Sequence, residues 1–253
     1  GKKHQIVAGA LSLAFVAFPW NLMAFGPVYA NVAGFALLPV VWALFIHLLS
    51  DEASVSARVR TGVTILVCCI GLALCHPNTI FTCIVMLAPY CVSRISEVAK
   101  QRGIAVIPRL AICAAFVLLC LGFWGLCYKL PLFHDTVSHV WPPYSRLFQQ
   151  VVNILTLSYT YGFNVEIAAQ LALAPIVIVG AVRLSHTEGK RWCVVSYALF
   201  CFILLVSTTQ SNELKQFLAG FWYTDSMRLA SIAAMAALPL AVEGFTWVLD
   251  IAY

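Results

Sequence analysis

The chain has 253 residues, of which 62% are hydrophobic and only 10% charged, with 15 Lys and Arg against 10 Asp and Glu and a mean hydropathy of +0.92. Soluble domains are about 45–50% apolar and roughly 25% charged, so a water-facing globular surface, a disordered chain, a disulfide-rich secreted module and a basic nucleic-acid binder are all excluded. The composition predicts an all-α, polytopic transmembrane helical bundle forming a single domain over residues 1–253. Its opening Gly1-Lys2-Lys3-His4 and abrupt stop at Ile251-Ala252-Tyr253 read as part of a longer chain.

A bilayer crossing takes about 20 residues, and eight apolar segments can be drawn. The first, Gln5–Phe18, follows Lys2 and Lys3 as a signal peptide would. No small-x-small cleavage site leading into a soluble domain follows, so it reads as a signal-anchor or internal helix. Phe18-Pro19-Trp20-Asn21 leads toward the second segment, Val28–Leu49, whose end carries His47 before the charged connection Asp51–Arg60. Thr61–Leu74 and Thr79–Val92 come next and flank His76-Pro77-Asn78. Each spans about 14 residues, or roughly 21 Å against a hydrocarbon core of about 30 Å, so the tip between them is expected below the membrane surface. Irregular backbone survives there only when buried in protein or lining a wet cavity. His76 and Asn78 are therefore candidates for a polar cavity floor, while Pro77 and Asn78 equally suit an ordinary turn and helix start.

The fifth segment, Ile104–Cys127, precedes a long connection, Tyr128–Asn164. His134, Asp135 and His139 within it suit a proton relay or metal contact by type, but three near neighbours in sequence do not make a site, and no metal is assigned. A divalent ion stays open. In the middle of that connection Leu147, Phe148, Val151, Val152 and Leu155 recur at helical spacing with Gln149, Gln150 and Asn153 between them. This predicts an amphipathic helix lying in the interface plane, flanked by Trp141, Tyr144, Tyr159 and Tyr161 as interfacial aromatics. Such a helix either lines a lateral opening for a lipid or anchors the loop.

The sixth segment, Val165–Val182, places Glu166 and Gln170 four residues apart near one end. Trp192–Thr208 and Leu229–Leu249 complete the set, with Glu243 inside the last, where a carboxylate must be paired or protonated. Most of the ten cysteines, such as Cys68, Cys69, Cys83, Cys113, Cys120 and Cys201, sit inside apolar runs and read as small hydrophobes.

Charge orients the bundle. With the N-terminus cytoplasmic, the inner stretches hold Lys2, Lys3, Arg58, Arg60, Arg94, Lys100, Arg102, Arg109, Arg183, Lys190 and Arg191, and the outer ones only Lys129, Arg146, Lys215 and Arg228. This asymmetry is the positive-inside pattern of a multi-pass plasma-membrane protein with both ends inside. The outer connections hold the chemically unusual residues. Chief among them is Phe221-Trp222-Tyr223-Thr224-Asp225-Ser226-Met227-Arg228, which leads into the last crossing. Asp225 or Thr224 is placed to cap that helix, with Arg228 three residues on from Asp225. Read functionally, Arg228 is an anion grip suited to phosphate, Trp222 and Tyr223 are flat platforms for a sugar or lipid chain, and Asp225 is a carboxylate beside both. Walker, GxSxG and HExxH motifs and an Arg-rich voltage sensor are missing from the sequence.

His76-Pro77-Asn78-Thr79 at a helix junction, together with Trp222-Tyr223-Thr224-Asp225-Ser226-Met227-Arg228-Leu229 before the final helix, resembles a family of actinobacterial polytopic membrane proteins of unassigned function. That family is similar in turn to the GT-C glycosyltransferases that use polyprenyl-phosphate donors. The resemblance implies a GT-C-like bundle on whose outer face a sugar passes from a polyprenyl-phosphate-linked donor to a cell-envelope glycan or lipid acceptor. It implies that Arg228 holds the donor phosphate, that Trp222, Tyr223 and Asn78 contact substrate, and that Asp225 and His76 serve catalysis; no cofactor is assigned, and a divalent metal stays open. Membrane lipids are the remaining partners, and nucleic acid is excluded. GT-C enzymes are expected to carry an acid in the first outer loop, whereas Phe18–Asn31 offers only Asn21. A transporter or flippase of a lipid-linked saccharide and a non-catalytic membrane scaffold are therefore the alternative expectations.

Overall fold

The computed structural model describes residues 1–26, 28–50, 54–159 and 169–252. Asp51, Tyr161, Asn164 and Glu166, named above, lie outside them. The described residues are helical, with no strand among them. Among the described residues, seven helical stretches are long and apolar enough to cross a membrane. The first, 2–25, comprises α1 (Lys2–Leu11), a kinked segment Val16–Asn21 and α2 (Leu22–Phe25). The others are α3 (Tyr29–Leu48), α4 (Val55–Cys75), α5 (Asn78–Gln101), α6 (Val106–Lys129), α10 (Arg191–Thr209) and α12 (Ser226–Ala252). Between α6 and α10 come the short α7 (His134–Val137), then α8 (Leu147–Leu155) and α9 (Leu173–His186), and α11 (Glu213–Ala219) precedes α12. The sixth segment drawn from sequence corresponds to α9, an apolar helix shorter than the seven.

The pair α4 and α5 corrects one expectation. They run 21 and 24 residues, about 31 and 36 Å at 1.5 Å per residue, because each continues past its purely apolar stretch into Val55–Arg60 and Ser93–Gln101. Shortness therefore does not recess the His76 junction. Its polar side chains are instead covered by protein: Asn78, Thr79 and Thr82 are all buried.

α12 is the central helix, buried along most of its length and packed against α1, α9 and α10. Small residues allow this. Gly180 of α9 and Gly244 of α12 face each other so closely that a Cβ on Gly180 would stand 1.8 Å from the Leu240 carbonyl oxygen, and one on Gly244 2.0 Å from that of Ile176. In lipid, where helix association draws little on the hydrophobic effect, such close backbone approach supplies the packing. At the opposite extreme, α4 and α6 expose apolar residues along their length, among them Val63, Leu66, Ile70, Leu110, Leu118 and Leu126, as lipid-facing helices do.

The ends of the bundle differ in chemistry. At one, the basic end, Lys3 pairs with Asp250, while Glu243 accepts from Arg183 Nε at 3.2 Å and lies 3.6 Å from His4. Glu243 is thus the paired carboxylate anticipated for the last crossing. The opposite, far end gathers the start of α3, the α4–α5 junction, the chain after α6 and the turn before α12.

α8 forms where the periodicity places it, with its apolar side outward. Leu147, Phe148, Val151 and Leu155 are exposed, whereas Gln150 and Asn153 are buried. Gln150 Nε2 donates to the Tyr159 carbonyl at 2.6 Å, and Asn153 Nδ2 to Gln150 Oε1 at 3.1 Å. An apolar outer face and a polar inner one suit a helix bedded in the membrane interface. Trp141 and Tyr144 are half exposed as expected of its flanks. Tyr159 is not: it is fully buried, its hydroxyl 3.4 Å from that of Tyr197, because left-handed backbone at Leu157 and Tyr159 turns the chain back into the bundle.

Replacing Gly180 with Ala is expected to cost about 1–3 kcal/mol through overpacking, read as a lower thermal midpoint in detergent. Gly62→Ala on α4, where a Cβ meets open space, is expected to leave the midpoint unchanged or raise it by up to about 1 kcal/mol in helix propensity.

Candidate functional site

The site forms at the far end, where four separated pieces of chain meet. At the α4–α5 junction, Thr79 Oγ1 bonds the carbonyls of Leu72 (3.0 Å) and His76 (2.8 Å), closing the end of α4. The Asn78 backbone N–H lies 3.4 Å from His76 Nδ1. This fits a neutral ring carrying its proton on Nε2, free to donate. Beneath it, Asn31 Nδ2 of α3 donates to Asn78 Oδ1 at 2.9 Å, leaving Asn78 Nδ2 buried without a hydrogen-bond partner.

The second piece is the turn between α11 and α12. Tyr223 and Thr224 both adopt left-handed backbone, with φ of +59° and +51°, a conformation uncommon outside glycine. Surrounding bonds hold it: Ser207 donates its hydroxyl to the Thr224 carbonyl (2.8 Å), and Thr224 Oγ1 accepts from the Trp141 N–H (2.8 Å). Lys215 of α11, fully buried, donates from Nζ to the Trp141 carbonyl at 2.7 Å, and burial lowers its pKa. Lys215 thereby clamps the chain around Trp141 onto this turn.

Asp225 ends the turn and caps α12, its Oδ1 accepting the Met227 N–H at 2.8 Å. Its other oxygen lies 3.5 Å from Arg228 Nε. This is close enough for electrostatic pairing but not aligned as a hydrogen bond, and Nε is buried without a hydrogen-bond partner. Burial pushes the Asp225 carboxyl above the usual carboxylate range, against the opposing pull of Arg228, the capping N–H groups and His139. The Arg228 guanidinium sits 4.6 Å from the centroid of the Tyr223 ring, a cation–π distance. That ring also meets His76 at 5.7 Å and His139 at 6.1 Å, both edge-on. His76 is pushed down to about 4, first by burial and then by Arg228.

His76, Tyr223, Asp225 and Arg228 are thus drawn together from positions up to 152 residues apart. A recess of about 120 Å³ lies beside Asp225, lined also by Phe25, Trp141, Tyr144, Ser207 and Thr224 among others, while His76, Tyr223 and Arg228 are not in its lining. Trp222 stands apart from this group. It is fully buried, donates from Nε1 to Thr82 Oγ1 at 3.0 Å and packs against Trp124. It offers no face to a ligand, because the turn that presents Tyr223 drives its neighbour into the core. Asn78 likewise lies under the site rather than on it.

His134 and Asp135 are exposed and 3.4 Å apart, away from His139, which joins Tyr223. Among the described residues no three His, Cys, Asp or Glu side chains gather as a metal site. Gln170 serves the backbone, donating to the Ala14 carbonyl (2.6 Å) and accepting from the Val16 N–H (3.1 Å) across the break after α1. Lys215 and Asn31 escaped sequence reasoning. A lone lysine in a polar connection and an asparagine in an apolar segment carry no periodic or motif signal.

The lowered pKa of His76 sets a sign for pH dependence. Between about pH 6.5 and 4 the unfolded state binds the proton more readily than the folded state, so His76 stabilises fully above pH 6.5 and progressively less as pH falls toward 4. The raised pKa of Asp225 acts in the opposite direction. His76→Gln is therefore expected to flatten the fall in thermal midpoint over that window relative to wild type, leaving the Asp225 contribution in both.

Residues 2–253 match the model of a family described as Family of unknown function (DUF6541). No curated protein and no solved structure matches the chain.

Proposed function

The chain belongs to the DUF6541 family of unknown function, and we propose that it is a membrane glycosyltransferase-like protein. In this reading it moves a sugar from a polyprenyl-phosphate donor to a cell-envelope acceptor, on a GT-C-like scaffold of eight crossings in the plasma membrane. The N-terminus is cytoplasmic and the site faces outward. The pairing of Lys3 with Asp250 supports an even number of passes, and α9 beside the seven long helices supplies the eighth. The excess of Lys and Arg at the basic end supports the orientation.

The observation that carries the proposal is Arg228. A guanidinium held over Tyr223 at the end of a transmembrane helix, paired with Asp225 at 3.5 Å but with no hydrogen bond to its buried Nε, is incompletely satisfied and has room for a second anion. A lipid phosphate suits it in charge and geometry. In the transfer, the acceptor hydroxyl oxygen bonds to the anomeric carbon as the bond from that carbon to the phosphate oxygen breaks. The electron pair departs on the phosphate, where Arg228 stabilises the growing charge. The hydroxyl proton passes to Asp225, whose burial makes it more basic than an exposed carboxylate. His76, neutral and with Nε2–H free to donate, hydrogen-bonds the sugar or phosphate, and Tyr223 supplies the aromatic face.

A second reading, a carrier of the same lipid-linked saccharide, is favoured by one observation. Both carboxylate oxygens of Asp225 are engaged, one by the Met227 N–H and the other beside Arg228, so the base is not free.

The full-length protein in nanodiscs, given radiolabelled polyprenyl-phosphate sugars and an envelope acceptor extract, separates the two. Arg228→Ala is expected to lower transfer by about 10²–10³-fold. Asp225→Asn, which preserves the cap, is expected to lower it by about 10²–10⁴-fold while donor binding persists. Donor binding without any transfer by wild type would select the carrier.

A further inference from the structure

A second feature lies at the opposite end of the bundle, between α5 and α6. A recess of about 450 Å³ opens at the basic end, with Arg94 and Arg102 at its mouth and Ile95, Val98, Ile112 and Phe116 in its walls. A second, of about 300 Å³, continues deeper, walled by Val92, Phe116, Cys120, Trp124 and Phe202 among others. Phe116 lines both, so the two lie end to end beside α6 and are read as one groove. From Ile112 to Trp124 it covers about 18 Å of helix rise, close to the ~15 Å of one hydrocarbon leaflet.

Its polarity is graded. The deep part is apolar, and the charge is confined to the mouth. Arg94 is braced there by Glu97 and the Leu49 carbonyl, while Arg102 is exposed. Arg109, beside the mouth rather than in the lining, lies at i−3 and i−7 from Ile112 and Phe116, on the same face of α6, and its Nε is buried without a hydrogen-bond partner. No side chain caps the N-terminus of α6 at Ala105, and that end of a helix favours an anion. Arginines at the headgroup level above a leaflet-deep apolar slot match one class of ligand in both charge and shape.

We propose that this groove binds one anionic phospholipid from the leaflet at the basic end, its phosphate between Arg102 and Arg109 and one acyl chain lying along α6 toward Trp124. The site is distinct from the far-end cluster. It faces the other leaflet and shares no residue with the His76–Arg228 cluster. Its inner limit, Trp124, packs on Phe221 and Trp222, so the acyl chain also braces the aromatic core behind the far-end turn.

The test is native mass spectrometry of the full-length protein released from nanodiscs of phosphatidylglycerol and phosphatidylcholine mixed equally. One phosphatidylglycerol is expected to stay bound. The double variant Arg102→Glu/Arg109→Glu is expected to reduce its retention at least about tenfold, at roughly 1 kcal/mol per basic residue near the surface. Ile112→Trp, which fills the groove while leaving every charge in place, is expected to reduce it similarly. Lys2→Glu/Arg60→Glu, the same charge change elsewhere at that end, is expected to leave it unchanged. Equal retention of the two lipids, equal loss in the Lys2/Arg60 control, full retention by Ile112→Trp, or displacement by millimolar glycerol phosphate would each overturn the proposal. Should Ile112→Trp fail to fold, the arginine variants against their charge-matched control decide it alone.

Discussion

A chain in hydrocarbon must satisfy its own backbone, since each unpaired N–H or C=O there costs several kcal/mol. Among the described residues the chain departs from regular helix repeatedly, and at several of these departures a side chain meets the freed backbone. Gln170 bridges the break after α1, and Ser231 of α12 donates to the Ala17 carbonyl within the following kink at 3.0 Å. Thr79 closes α4, Gln150 takes the Tyr159 carbonyl, Lys215 takes that of Trp141, and Ser207 takes that of Thr224. The buried polar residues are therefore not scattered exceptions in an apolar bundle. They permit irregular backbone at membrane depth.

The far-end cluster is built on that arrangement. A non-glycine turn with two successive left-handed residues persists because Ser207 and Trp141 bond it directly and Lys215 holds Trp141 in place. The turn separates two adjacent aromatics, sending Trp222 into the core and Tyr223 toward Arg228, His76 and His139. Asp225 serves the helix and the cluster together, capping α12 with one oxygen and facing Arg228 with the other. Structural and chemical roles are combined in the same groups, so a change in either role moves the other.

Close backbone contact does the corresponding work in the middle of the bundle. Gly180 and Gly244 let α9 and α12 touch, which anchors a short helix against a long one. Outward, α4 and α6 keep broad apolar faces, and the groove beside α6 has charge only at its mouth. The two ends of the molecule thus present different opportunities: a polar cluster stabilised by buried side chains at one, and arginines above an apolar slot at the other.

Composition and apolar run length by themselves determined the class of this protein, because no soluble fold tolerates so few charges. Helical spacing located α8, and the order of charges separated the two ends. The residues of Phe221–Arg228 could be picked out because an arginine and an aspartate beside a membrane helix are expensive and therefore conspicuous. Sequence could not tell Trp222 from Tyr223, since that depends on two backbone angles imposed by residues far away. It could not find Lys215 or Asn31, whose roles exist only through partners at Trp141 and Asn78. It gave α4 and α5 too short, because the first turns of α4 and the last turns of α5 continue into charged residues at the membrane edge. It located α8 without settling which of its faces turns outward. Only the tertiary structure decides which face of a helix has the protein for its solvent and which has lipid, for that is settled by neighbours and not by period.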